Sequence, residues 1–136
     1  MEFNIRPLNE TDYDTILVGW WKDWGWEPPQ KDFLPDDGKG GIIVLDEDEP
    51  VCAGFIYTTN SNVSWLNWII SNKGYRKKPQ RKEAIKLLLS NLIKECKKNG
   101  SKYIFSNNNN NSLIEYFIND GFIKGCTNST ELIKMI

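Results

Sequence analysis

The chain contains no histidine. That absence removes the commonest metal ligand, the usual general base, and every nucleophile arrangement that relies on an imidazole. Proton transfer must run on other groups, and no metal centre is expected. The three cysteines, Cys52, Cys96 and Cys126, are odd in number and far apart, and Met1-Glu2-Phe3-Asn4 lacks the basic and apolar regions of a signal peptide. The expectation is a cytoplasmic protein with reduced thiols. Without a His to lower a thiol pKa, a Cys nucleophile is disfavoured. No segment approaches the ~20 apolar residues of a membrane span. Seventeen basic residues against eighteen acidic ones leave a formal charge of -1, so no global field draws the chain to nucleic acid or to a membrane. Any anion site must be local. What is present is burial capacity: 40% of the 136 residues are hydrophobic and 12% aromatic, too much for a disordered chain and the right size for one domain over 1–136.

Phe3 and Ile5 alternate with polar neighbours before Pro7, and Asn9-Glu10-Thr11-Asp12 supplies capping side chains ahead of Tyr13, Ile16, Leu17 and Trp20. This reads as a strand followed by an amphipathic helix. Pro28-Pro29 interrupts helical structure, and Gly38-Lys39-Gly40-Gly41 is a turn before the apolar run Ile42-Ile43-Val44-Leu45. Two further strands, Val51 to Tyr57 and Val63 to Ser71, complete an antiparallel meander. Strict alternation in the last places Ser64, Leu66, Trp68 and Ile70 on one face and Trp65, Asn67, Ile69 and Ser71 on the other, so it reads as a central strand. From Lys82 to Lys98 the apolar residues Ala84, Ile85, Leu88, Leu89, Leu92, Ile93 and Cys96 recur at helical spacing, closed by Asn99-Gly100. Lys102 to Phe105 reads as a strand, Asn107 to Asn111 as a polar loop, and Leu113 to Ile118 as a short helix stopped by Asp120-Gly121. Phe122 to Cys126 and Glu131 to Met135 are expected to add two short strands, the second positioned to pair across a homodimer.

Three stretches carry a family resemblance. Ile5-Arg6-Pro7-Leu8-Asn9-Glu10-Thr11-Asp12-Tyr13 looks like an opening strand and helix cap. The strand to Ser71 runs into Asn72-Lys73-Gly74-Tyr75-Arg76, and Asn110, Leu113, Phe117 and Gly121-Phe122 keep a fixed spacing. Together with the order of elements, these resemble the GNAT superfamily of N-acetyltransferases over nearly the whole chain. The resemblance implies an α/β (α+β) fold with a mixed, mostly antiparallel, splayed central sheet flanked by helices. It also implies acetyl-CoA as co-substrate, a small primary amine as acceptor, and direct attack within a ternary complex. A GNAT-like module that binds a ligand or a protein without catalysis is the rival reading.

On that resemblance Ile69 and Ser71 hold the pantetheine arm by main-chain bonds and Asn110 lies near it. The family's Gln/Arg-x-x-Gly-x-Gly/Ala loop is glycine-poor here: anchoring on Arg76 puts Pro79 and Arg81 at the glycine positions, and anchoring on Gln80 puts Glu83 and Ile85 there. In compensation Arg76, Lys77, Lys78, Arg81 and Lys82 cluster beside Gln80. Basic residues at a helix start oppose the dipole and call for an anion, the alternative being a solvated helix start. The family's general acid, a Tyr four residues before Gly-Phe, is replaced by Phe117, which leaves the adjacent Tyr116 as acid or as a packed Tyr with a surface hydroxyl. Trp65 and Asn67 stand where related enzymes carry a base. Asn67 is suited to orienting a water or amine, and Asp23 or Glu27 to supplying a carboxylate. Trp20, Trp24 and Trp26, with Trp21 between them, are either an aromatic wall for the acceptor or a core plug.

Overall fold

The computed structural model describes residues 2–136. A five-stranded sheet runs in chain order: β1 (Phe3–Pro7), β2 (Gly41–Asp46), β3 (Glu49–Thr58), β4 (Val63–Ser71) and β5 (Tyr103–Phe105). The first four are antiparallel, and β5 is parallel to β4. Tyr13–Leu17 forms a π-helical turn that continues into α1 (Val18–Asp23). The long α2 (Arg81–Lys98) connects β4 to β5, and α3 (Asn111–Asn119) follows β5. The mixed sheet and its flanking helices match the architecture implied by the resemblance.

The sheet separates two cores. One face packs Ile42, Val44, Cys52 and Leu66 against Ala84, Leu88 and Leu92 of α2 and Phe117 of α3. The other packs Ile43, Ala53, Phe55 and Ile70 against Leu17, Trp20 and Trp21. Alternation along β2 explains its part, since Ile42 and Val44 turn one way and Ile43 the other.

Strict alternation fails in β4. Leu66 belongs to the α2-side core, whereas Trp68 and Ile70 pack on the α1 side and Ile69 on the α2 side. Phe55 pairs with Asn67 and Ala53 with Ile70, so three steps on β4 oppose two on β3. The extra residue is a β-bulge, and Trp68 carries it in a left-handed conformation, φ 58°. The reading that Leu66, Trp68 and Ile70 share a face is therefore corrected: one inserted residue inverts the parity of everything after it. Opposite the bulge stands Gly54, where a Cβ would come within 2.9 Å of Leu92 and 3.1 Å of Ile69.

The two strands expected in the C-terminal segment do not form. After Phe122, whose ring meets Phe117 edge-on at 4.9 Å, residues 123–136 have no regular structure. Ile123, Leu132 and Met135 are exposed. Short apolar runs have strand propensity, but a strand needs a ladder partner, and β5 spans only three residues. Glu131 to Met135 thus offers no preformed strand for pairing across a dimer.

The turn into the π-helix is held by reciprocal bonds. The Asn9 side chain accepts from the amides of Thr11 and Asp12, and the Asp12 carboxylate accepts from the Asn9 amide at 2.8 Å. Arg6 grips the same carboxylate with two bonds, 2.7 and 3.0 Å, and the Asp12 side chain is 3% exposed. Burial alone would raise the Asp12 pKa, but the Arg6 bond, the Asn9 amide and the Arg6 charge outweigh it and hold it below the usual value. A carboxyl depressed on folding stabilises above its unfolded pKa, and the contribution is lost as pH falls through the folded value. Replacing Asp12 with Ala should cost about 2 kcal/mol at pH 7. The gap to wild type in urea midpoint should narrow as pH falls below about 4.

Candidate active site

Pairing between β4 and β5 ends at Trp65 and Phe105. Just beyond, the Ser106 hydroxyl donates to the Leu66 carbonyl (2.6 Å) and the Asn107 amide donates to Asn67 Oδ1 (3.2 Å). The Asn107 amide is then spent on a side chain, and the chains diverge. The β5 side turns into the polar loop and enters α3 through Asn110, whose side chain caps the helix by accepting from the Leu113 amide (3.0 Å). The gap between the last turn of β4 and α3 is a cleft. Ile69 and Ser71 line it from β4, Arg81 from α2, Asn110, Leu113 and Tyr116 from α3, and Trp24 and Trp26 from the segment after α1.

The Asn72 amide bonds the Val51 carbonyl (2.8 Å), toward β3. Alternation turns the main-chain groups of Ile69 and Ser71 the other way, to the open side. The Ser71 carbonyl is already taken by the Trp24 indole N–H at 2.8 Å, which leaves the Ser71 amide and the Ile69 groups facing the cleft.

Arg81 is the one charged side chain in the cleft lining. Its Nη2 donates to Ser71 Oγ at 3.1 Å, while its Nε is buried without a partner. A buried unpartnered donor on a guanidinium costs free energy that an anion or an acceptor atom would recover. Tyr116 lies within the field of this charge. Burial raises its pKa, the Arg81 charge partly offsets that, and Glu83 and Cys52 push it up again. The phenol therefore keeps its proton at neutral pH and is able to donate it.

Cys52 also reaches the cleft, but burial drives its thiol up to about 12 against the opposing Arg81 charge, and its sulfur lies 3.7 Å from the Ala84 carbonyl. It is a packed thiol and not a nucleophile.

Of the remaining residues singled out from the sequence, Trp20 is buried in the α1-side core and does not line the cleft. Asn67 lies on the α1 side of the sheet, with its oxygen engaged at the point where the strands part. The basic cluster divides: Arg81 turns inward, while Arg76, Lys77, Lys78 and Lys82 are exposed around the start of α2. Arg76 donates to the Lys73 carbonyl (2.9 Å), and Lys78 pairs with Glu49 (3.0 Å) and sits over the Tyr75 ring (4.8 Å). Gln80 occupies the N-cap of α2 without a side-chain cap, which leaves the helix start open to another hydrogen-bond acceptor. The loop before α2 is fixed by side chains: the Tyr75 hydroxyl donates to Asp46 (2.7 Å) and the Asn72 amide group to the Pro50 carbonyl (3.0 Å).

Sequence reasoning missed Leu113 and Cys52 in the cleft and Trp68 beside it. A packed Leu or Cys gives no signal of a cleft wall, and Trp68 was placed on the wrong face by the unseen bulge.

No family model and no curated protein matches this chain in sequence. The fold does match solved structures. A GNAT family acetyltransferase from Staphylococcus aureus shares it at 16% identity and TM-score 0.63, over 98% of this chain and 100% of that one. Glucosamine-6-phosphate N-acetyltransferase from Arabidopsis thaliana does so at 13% identity and TM-score 0.65, over 98% and 100%. AAC(6')-Iy in complex with the bisubstrate analogue CoA-S-monomethyl-acetylneamine does so at 14% identity and TM-score 0.67, over 99% and 100%. The chain has the GNAT fold, and at such identities the likeness is one of architecture.

The three thiols give a direct check on the site. A chromogenic disulfide reagent should titrate only the exposed Cys126 in the native protein, and Cys52 and Cys96 should react only on unfolding. Rapid native labelling of Cys52 would contradict its placement.

Proposed function

We propose that the protein is an N-acetyltransferase that moves an acetyl group from acetyl-CoA to a small primary amine within a ternary complex. The observation that carries this reading is the opening of the sheet after the bulge, which exposes the Ile69 and Ser71 main chain beside a half-buried guanidinium and a protonated phenol. The solved structures that share the fold support it, one of them in complex with the bisubstrate analogue CoA-S-monomethyl-acetylneamine.

In this reading the Ile69 and Ser71 main chain and Asn110 hold the pantetheine arm of the co-substrate. The open N-terminus of α2 and the side chains of Arg76, Lys77 and Lys82 face its phosphates, while Lys78 is already paired with Glu49. Arg81 stabilises negative charge that develops in the cleft, and Tyr116 protonates the departing thiolate. The amine attacks directly, and no covalent enzyme intermediate is involved. Holding the two reactants together contributes much of the rate.

A binding module without catalysis is the second reading. It is favoured by the absence of the family's loop glycines in either register, with Pro79 and Arg81 or Glu83 and Ile85 in their places, and by Phe117 in the place of the family's acid. Acetyl-CoA titrated against intrinsic Trp fluorescence, with calorimetry as confirmation, separates the two, because Trp24 and Trp26 line the cleft. Saturable binding is expected below millimolar concentration, and none at millimolar would end the enzyme reading. With binding established, Tyr116→Phe should lower kcat at least tenfold at unchanged acetyl-CoA affinity. An unaltered rate would remove Tyr116 as the acid.

A further inference from the structure

The cleft does not end at β4. Trp26, Ile69, Asn110 and Leu113 line it on one side and also line a second groove of about 530 Å³ on the other. The two cavities therefore share a wall at Ile69, one residue beyond the bulge. Their charges differ. Arg81 is the charged residue of the cleft, whereas Glu27 and Glu131 are the charged residues of the groove, and no lysine or arginine lines it.

Two indoles stand ready in this groove. Trp68 is wedged edge-on between Trp21 (6.3 Å, 88°) and Phe33 (5.9 Å, 84°). Trp26 stacks on Trp24 (6.2 Å, 25°), yet is 49% exposed. Aromatic faces held in place by other rings need little reorganisation to receive a ligand. Asn107, Asn108 and Asn109 add side-chain amides to the lining.

We propose that this groove binds the acyl acceptor, and that the acceptor is an aliphatic diamine whose second nitrogen stays protonated. The inference rests on the acetyltransferase reading and deepens it. An ammonium is attracted by indole faces, carboxylates and amide oxygens, all of which line the groove. An acceptor carrying a phosphate or carboxylate would meet two carboxylates and no cation, and so would be rejected. The reacting nitrogen loses one proton to water and attacks at the shared wall. Its N–C bond forms as the C–S bond breaks, the thiolate takes the Tyr116 proton, and the proton shed by the acylated nitrogen returns to Tyr116 through solvent.

The test measures thiol release from acetyl-CoA with three acceptors of matched length: 1,4-diaminobutane, 4-amino-1-butanol and 4-aminobutanoate. The diamine should show kcat/KM at least 30-fold above either of the others. Glu27→Gln combined with Glu131→Gln should raise its KM at least tenfold, with acetyl-CoA affinity by calorimetry as the check on folding. Equal use of the three acceptors, or preference for 4-aminobutanoate, would overturn the diamine assignment and leave the transferase reading standing. If acetyl-CoA is not used at all, saturable quenching of Trp fluorescence by the diamine and not by 4-aminobutanoate would support the groove assignment on its own. Absence of that quenching would overturn it.

Discussion

One inserted residue in β4 organises the functional half of this molecule. Trp68, held at φ 58°, lets three residues of β4 span two of β3, so the side chains after it change faces. Trp68 joins the aromatic cluster on the α1 side, while Ile69 and Ser71 turn to the α2 side and line the cleft. A bulge also bends the strand that carries it. With β5 only three residues long and the Asn107 amide held by Asn67, nothing pulls the chains back into register, and the sheet stays open. Gly54 sits opposite, where a side chain would press on Leu92 and Ile69.

The electrostatics follow from this opening. A guanidinium enters the cleft from the start of α2, the end of a helix where a cation is least favourable, and one of its nitrogens is buried and unpartnered. That arrangement is costly for an empty cleft and favourable for one that receives negative charge. The groove that shares Ile69 with the cleft is lined by the indoles of Trp21, Trp26 and Trp68 and by the carboxylates of Glu27 and Glu131. The cleft and the groove adjoin along Trp26, Ile69, Asn110 and Leu113, so regions lined by charges of opposite sign lie side by side where the strands part.

The loop before α2 replaces backbone adaptability with side-chain anchoring. In the GNAT resemblance glycines let the chain close around phosphate. Here Tyr75 is buried and bonded to Asp46, and Asn72 ties β4 to the Pro50 carbonyl. Arg76, Lys77, Lys78 and Lys82 remain at the surface, where their charged ends stay solvated.

The order of elements, the long helix and the central place of β4 were legible in the sequence, because hydrophobic periodicity and turn residues are local signals. So were Arg81, Tyr116, Asn110, Trp24 and Trp26 as residues worth watching, all of which come to the cleft. The residues alone determined the absence of imidazole chemistry and the even balance of charge. Only the tertiary structure decided that Trp68 lines a groove on the α1 side, that Trp20 is buried, that Arg81 leaves its basic neighbours to enter the cleft, and that the last apolar segment stays unpaired. Each of these depends on a register shift or on the presence of a partner strand. Both are long-range facts, set by which segments meet and not by which residues neighbour one another along the chain.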